Sequence, residues 1–163
     1  MKRILNTVIG VSFLFYLFAL VVLLFFISRG YWAEMPLLEY IKRSSNFVPF
    51  KTINAYIMAI SNGSMNLIIP IKNLAGNIIA FLPMGLYLPF FLRKLTKFPA
   101  FAIAITVMIL SVEIVQVITR RGSLDIDDFI LNFIGAAMGF GIWKTANVLK
   151  LYGRKPNSSI NNS

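Results

Sequence analysis

The side chains able to do chemistry are few and unevenly placed. The sequence has six acidic residues, no histidine and no cysteine. Disulfides, thiol nucleophiles and cysteine or histidine metal sites are therefore excluded, and any proton transfer or ion binding rests on carboxylates, amides, hydroxyls, Lys and Arg. Four of the six acids are Glu113, Asp125, Asp127 and Asp128; the others are Glu34 and Glu39. Glu113 sits inside an otherwise apolar run with Gln116 three residues on and Arg120 four beyond that, a spacing that draws one stripe on a helix. Asn73 and Asn77 are an i, i+4 pair, and Asp128, Asn132, Gly135 and Gly139 follow i, i+4, i+7, i+11. A carboxylate in hydrocarbon costs a few kcal/mol on insertion scales, so Glu113 must face a protein interior and a partner. It is the candidate general acid or base. The run from Asp125 to Asp128 supplies one helix N-cap and leaves acids to spare. Asp125, Asp127 and Asp128 are the candidate ligands for a hard divalent cation, although the pattern requires no cofactor.

What must position these groups is a membrane bundle. Hydrophobic residues make up 58% of the 163-residue chain, charged residues 13%, and the mean hydropathy is +0.75. A soluble domain carries roughly a quarter charged residues. Crossing a hydrocarbon layer of ~30 Å takes about 20 apolar residues at 1.5 Å each. Four segments qualify, at 4–27, 74–92, 98–119 and 129–148. The fold class expected is all-α: a four-helix transmembrane bundle forming one domain over 1–149, with a polar, disordered tail over 150–163. The first segment resembles a signal peptide, but its apolar core is too long and lacks a small-residue cleavage site, so it reads as an uncleaved helix ending near the interfacial pair Tyr31 and Trp32. Pro83 should kink the second helix. Short connections make helices two to four antiparallel neighbours, whereas the long connection 28–73 holds the apolar stretch 53–60, read as an interfacial or re-entrant segment. Pro70 reads as a break before helix two.

The net charge of +10 fits basic residues flanking membrane helices better than a nucleic-acid groove. With the N-terminus inside, Lys2, Arg3, Arg93, Lys94, Lys97, Lys144, Lys150, Arg154 and Lys155 lie on the cytoplasmic side, beside helix ends. Arg29, Lys42, Arg43, Lys51, Lys72, Arg120 and Arg121 lie outside, together with all the acids or near them. Both termini are then cytoplasmic. Counting inward from the helix ends puts Asn77, Glu113, Gln116 and Asn132 at one depth, about 5–9 Å below the outer boundary. Gly135 and Gly139 beneath them allow close helix packing.

The order Asn73-x-x-x-Asn77-Ile-x-x-Phe81-x-Pro83-x-Gly85, then Glu113-x-x-Gln116, then Arg121-x-x-x-Asp125-x-x-Asp128 and Asn132-x-x-Gly135, resembles the VanZ-like family. The upstream Arg43-x-x-Asn46-x-x-Pro49-Phe50 is similar to that family's outer-loop element. The resemblance implies a small multi-pass protein of the bacterial cell membrane, in a family associated with resistance to teicoplanin-type glycopeptide antibiotics; it implies no reaction. Three functions follow from the residues. The first is a non-catalytic binder of a membrane lipid, a lipid-linked cell-wall precursor or a lipoglycopeptide. In it Arg43, Arg120 and Arg121 would meet phosphate or carboxylate, Asn46, Asn73, Asn77, Gln116 and Asn132 would orient the ligand, and Glu113 would pair with an arginine. The second is an intramembrane enzyme on a lipid-linked substrate using Glu113 and the Asp125–Asp128 acids. The third is a small oligomeric transporter.

Overall fold

Four stretches of the chain can leave water only as helices, because hydrocarbon offers no partner to a backbone N–H or C=O. In the computed structural model, which describes residues 2–27 and 35–152, these are helix α1 (Lys2–Val21, continuing as a π-helical turn over Val22–Ile27), α4 (Ile68–Phe91), α5 (Phe98–Ile118) and α6 (Ile126–Tyr152). Each contains a window apolar and long enough to span a bilayer. Two shorter helices, α2 (Leu37–Ser44) and α3 (Lys51–Asn62), occupy the long first connection. The described residues are all-helical apart from turns and one bridge between Asn46 and Asp125. The interfacial pair Tyr31 and Trp32 lies outside the described residues; of the tail expected over 150–163, the first three residues continue α6 to Tyr152, and 153 onward lie outside the described residues.

Helix α4 begins at Ile68, earlier than the expected residue 74, and runs through Pro70. Pro70 falls in the first turn, where its missing N–H would have had no intrahelical partner, so it starts the helix rather than breaking it. Helix α6 likewise begins earlier than expected, at Ile126. These starts deepen the polar residues. Asn77 lies nine residues from the start of α4, about 13 Å in, while Asn132 lies six from the start of α6, about 9 Å in. Helix α4 also continues through Pro83 and Pro89. Helix α1 supports it there: Tyr16 Oη donates to the Ala80 carbonyl at 2.7 Å, and Ser12 Oγ meets Tyr87 Oη at 3.0 Å.

The side chains sort by face. On α5, Phe101, Ile105, Ile109, Glu113 and Val117 form a buried i, i+4 stripe, while Ile103, Val107, Ile114 and Ile118 are exposed as lipid-facing residues. On α1, Leu14, Phe15 and Phe18 point outward, and Phe13, Leu17, Leu20 and Leu24 pack on the core. That core is built from Phe81, Met84, Phe101, Ile105, Ile109, Ala136 and Phe140, with Phe101 stacked on Phe140 at 4.6 Å between ring centroids.

The closest packing joins α4 and α6, which are not sequence neighbours. Glycines on both helices explain it. A Cβ on Gly135 would collide with the Ile78 carbonyl, one on Gly139 with the Leu82 carbonyl, and one on Gly85 with the Ala136 carbonyl. Backbone lies against backbone along this seam. The Gly135–Gly139 pair does what its spacing foretells, with Gly85 reciprocating from α4.

Helix α5 ends in a Schellman motif: Arg120 N–H bonds the Val117 carbonyl at 3.1 Å and Arg121 N–H bonds that of Gln116 at 2.8 Å. The left-handed position, usually a glycine, is Arg120 with φ 55°. A side chain held there costs about 1 kcal/mol, and the turn it makes brings Gly122 and Ser123 back over the bundle end.

Candidate functional site

The sequence run Asp125-Ile-Asp127-Asp128 has three acids, and the structure gives each a different task. Asp125 is the N-cap of α6, its Oδ1 accepting the Asp127 backbone N–H at 2.9 Å. The same carboxylate accepts from Asn46 Nδ2 at 3.0 Å and, through Oδ2, from Thr52 Oγ1 at 2.6 Å. Around it, Asn46 N–H bonds the Leu124 carbonyl and Ile126 N–H bonds the Asn46 carbonyl, each at 2.9 Å, which makes the lone bridge. Asp127 caps a different helix. It is fully buried, and its two oxygens accept the N–H groups of Phe50, Thr52 and Ile53 at 2.5, 2.7 and 3.1 Å. These are the orphan donors at the start of α3, and the negative charge also sits at the positive end of that helix. Phe50, at φ 64°, turns left-handed to aim its N–H at the carboxylate. Asn46, Thr52, Asp125 and Asp127 thus form a brace that docks the long first connection on the head of α6. Tyr40 adds a second fastening from α2, its Oη donating to the Gly122 carbonyl at 2.6 Å.

Asp128 points elsewhere. It lines a cavity of about 220 Å³ with Asn73, Asn77, Glu113, Gln116, Gly122, Ser123, Asn132, Leu23 and Leu24. The α4–α6 glycine seam sets this geometry: Ile78 rests on Gly135, which brings the preceding Asn77 within 2.6 Å of Asp128, Nδ2 donating to Oδ1. Gln116 reaches from α5 to α1, donating to the Leu24 carbonyl at 2.9 Å in the π-helical turn. Glu113 and Asn132 are 3% and 5% exposed. Glu113 Oε1, Asn132 Oδ1 and Asn73 Oδ1 are buried without a hydrogen-bond partner, although buried polar atoms are as a rule paired. Tyr56 on α3 lies outside the spans. Burial, followed by the nearby charges of Asp128 and Asp125, pushes its phenol above the ordinary tyrosine value, so it stays a protonated donor beside these acids.

Six of the residues singled out from the sequence therefore meet in one cavity: Asn73, Asn77, Glu113, Gln116, Asp128 and Asn132. Asn46 and Asp125 belong to the brace. Arg43 is exposed and paired with Glu39 at 2.9 Å, and Arg121 is exposed. No arginine is among the cavity's lining residues; the carboxyl group sharing it with Glu113 is that of Asp128. Of the metal candidates, Asp125 and Asp127 turn their oxygens to protein donors. No group of three or more acids, among the described residues, is arranged to hold a metal ion. Thr52, Tyr40 and Tyr56 went unmarked in the sequence. Only Thr52 carried a signal there, as a hydroxyl immediately before the apolar stretch 53–60.

A family model described as VanZ/LLP1 matches residues 13–149. Protein VanZ of Enterococcus faecium is 29% identical over 113 residues, which are 69% of this chain and 60% of that protein. The match thus spans well under two thirds of the relative's length. No solved structure matches. Four membrane-spanning helices, the polar motifs in their order and a match extending over most of the chain agree: this multi-pass membrane protein belongs to the VanZ/LLP1 family.

Proposed function

We propose that this protein is a non-catalytic component of the bacterial cell membrane. In this reading it lowers susceptibility to teicoplanin-type glycopeptides by holding a lipid-linked ligand in the cavity between α4, α5 and α6. Both termini are cytoplasmic and the cavity faces outward. The observation that carries the reading is the set of three buried, unpartnered oxygens of Asn73, Glu113 and Asn132 lining one cavity. Desolvating a polar atom without a partner costs about 1–3 kcal/mol, and a site that binds a ligand recovers that cost when occupied. The family and the VanZ relative support the resistance context.

A second reading is favoured by the two carboxyl groups sharing the cavity. Glu113 could act as general acid or base on a lipid-linked substrate, with Asp128 held by Asn77. Expression in a susceptible Gram-positive host separates the two. The wild-type chain should raise tolerance to teicoplanin more than to vancomycin, and Glu113→Ala and Asp128→Ala at equal membrane levels should abolish the shift. Glu113→Gln should retain part of it. Complete loss with Glu113→Gln, which keeps shape and hydrogen bonding, would favour catalysis. No shift by wild-type protein would overturn the resistance reading.

A further inference from the structure

We infer that the group this cavity recognises is a primary ammonium, an inference that rests on the binding function proposed above. The buried cavity atoms that lack a partner are of one kind. Two of its four side-chain amides have their donors engaged, Asn77 Nδ2 on Asp128 and Gln116 Nε2 on the Leu24 carbonyl. The unpartnered atoms are all oxygens: Asn73 Oδ1, Glu113 Oε1 and Asn132 Oδ1. Two of their residues, Glu113 and Asn132, are more than nine-tenths buried, at 3% and 5% exposure. The lining holds two carboxyl groups and neither lysine nor arginine.

An anionic headgroup would share the cavity with two carboxyl groups and meet no lysine or arginine among its lining residues. A sugar brings as many acceptors as donors and offsets no charge. An ammonium presents three N–H donors and one positive charge, the complement of three free acceptors in a doubly acidic cavity. The volume of about 220 Å³ takes the ammonium and a short carbon stem, since a liquid water occupies about 30 Å³. Leu23 and Leu24 supply apolar wall for that stem. The amine could arrive on a membrane lipid or on a soluble molecule, and the two sources are separable.

The test uses the full chain in phosphatidylcholine nanodiscs doped with equal fractions of phosphatidylethanolamine or phosphatidylglycerol, with lipid retention read by native mass spectrometry. Phosphatidylcholine carries a cation without N–H donors, and phosphatidylglycerol carries hydroxyls without the cation. Phosphatidylethanolamine should be retained about tenfold over both, the effect expected for hydrogen bonds to a charged group. Glu113→Gln and Asp128→Asn should each erase most of that preference. On wild-type protein, free ethylammonium should displace the bound lipid while tetramethylammonium does not; this arm requires no variant to fold. Displacement only by a large excess of ethylammonium over lipid supports the lipid source, and displacement at equimolar ethylammonium supports a soluble amine. Preference for phosphatidylglycerol, equal retention of the three lipids, or displacement by calcium in place of ethylammonium would overturn the ammonium assignment and leave the binding reading standing. Loss of all retention and displacement would overturn both.

Discussion

Asp127→Ala should lower stability by about 3 kcal/mol or more, a large loss for a single side chain that does not line the cavity. The carboxylate accepts three backbone N–H groups from Phe50, Thr52 and Ile53 while fully buried. Removing an ordinary helix cap costs about 0.5–2 kcal/mol, and buried donors left unpaired cost about 1–3 kcal/mol each. Helix α3 would then lose its cap and part of its attachment to α6, Thr52 still reaching Asp125. Thermal unfolding in detergent should show a midpoint about 6–12 °C lower, taking about 2–4 °C per kcal/mol for a chain of this size. Asp127→Asn should fall between, because one amide oxygen can still accept. A midpoint unchanged in Asp127→Ala would mean that the long first connection holds itself in place.

Widening the α4–α6 seam should be at least as damaging. Gly135→Val and Gly139→Val each place a Cβ against backbone carbonyls, those of Ile78 and Leu82, rather than against movable side chains. Overpacking a tight contact costs about 1–3 kcal/mol where side chains can adjust, and here the helices themselves must part. Separation at Gly135 would also pull Asn77 from Asp128, so the polar cavity and the fold should fail together. Gly141, whose added Cβ would meet nothing within 4 Å, supplies the control. Gly141→Ala should be neutral or gain up to about 1 kcal/mol from helix propensity. Folded membrane levels by fluorescence-detected chromatography would rank the variants, and wild-type levels for Gly139→Val would refute the seam.

The difference between these two devices shows what a sequence can and cannot display. The four spans are written in composition, and the seam is written in the i, i+4 spacing of Gly135 and Gly139. The depth of Glu113 follows from its place in the buried stripe that begins at Phe101. The brace is different, because an acid that caps its own helix and one that caps a helix tens of residues away look alike as letters. Asp125 and Asp127 could therefore be read as spare ligands, and only the fold shows that protein donors occupy them. Helix α2 was hidden because it is short, and a short helix depends on contacts such as Tyr40 to Gly122 rather than on a long apolar pattern. The arginines differ again: their charge suggests a phosphate partner, while none of them is among the residues lining the cavity.

The proposed function places the polar cavity on the outer face within lipid-facing walls, and single cysteines test that directly because the sequence has none. Asn77 lines the cavity, while Ile79, two residues on, is 65% exposed on the lipid-facing side of α4. In intact cells a small, charged, membrane-impermeant methanethiosulfonate should modify Asn77→Cys and leave Ile79→Cys untouched, since a thiol in hydrocarbon forms no thiolate. Modification of Asn77→Cys only in inverted vesicles, or equal modification at both positions, would contradict the outward polar cavity.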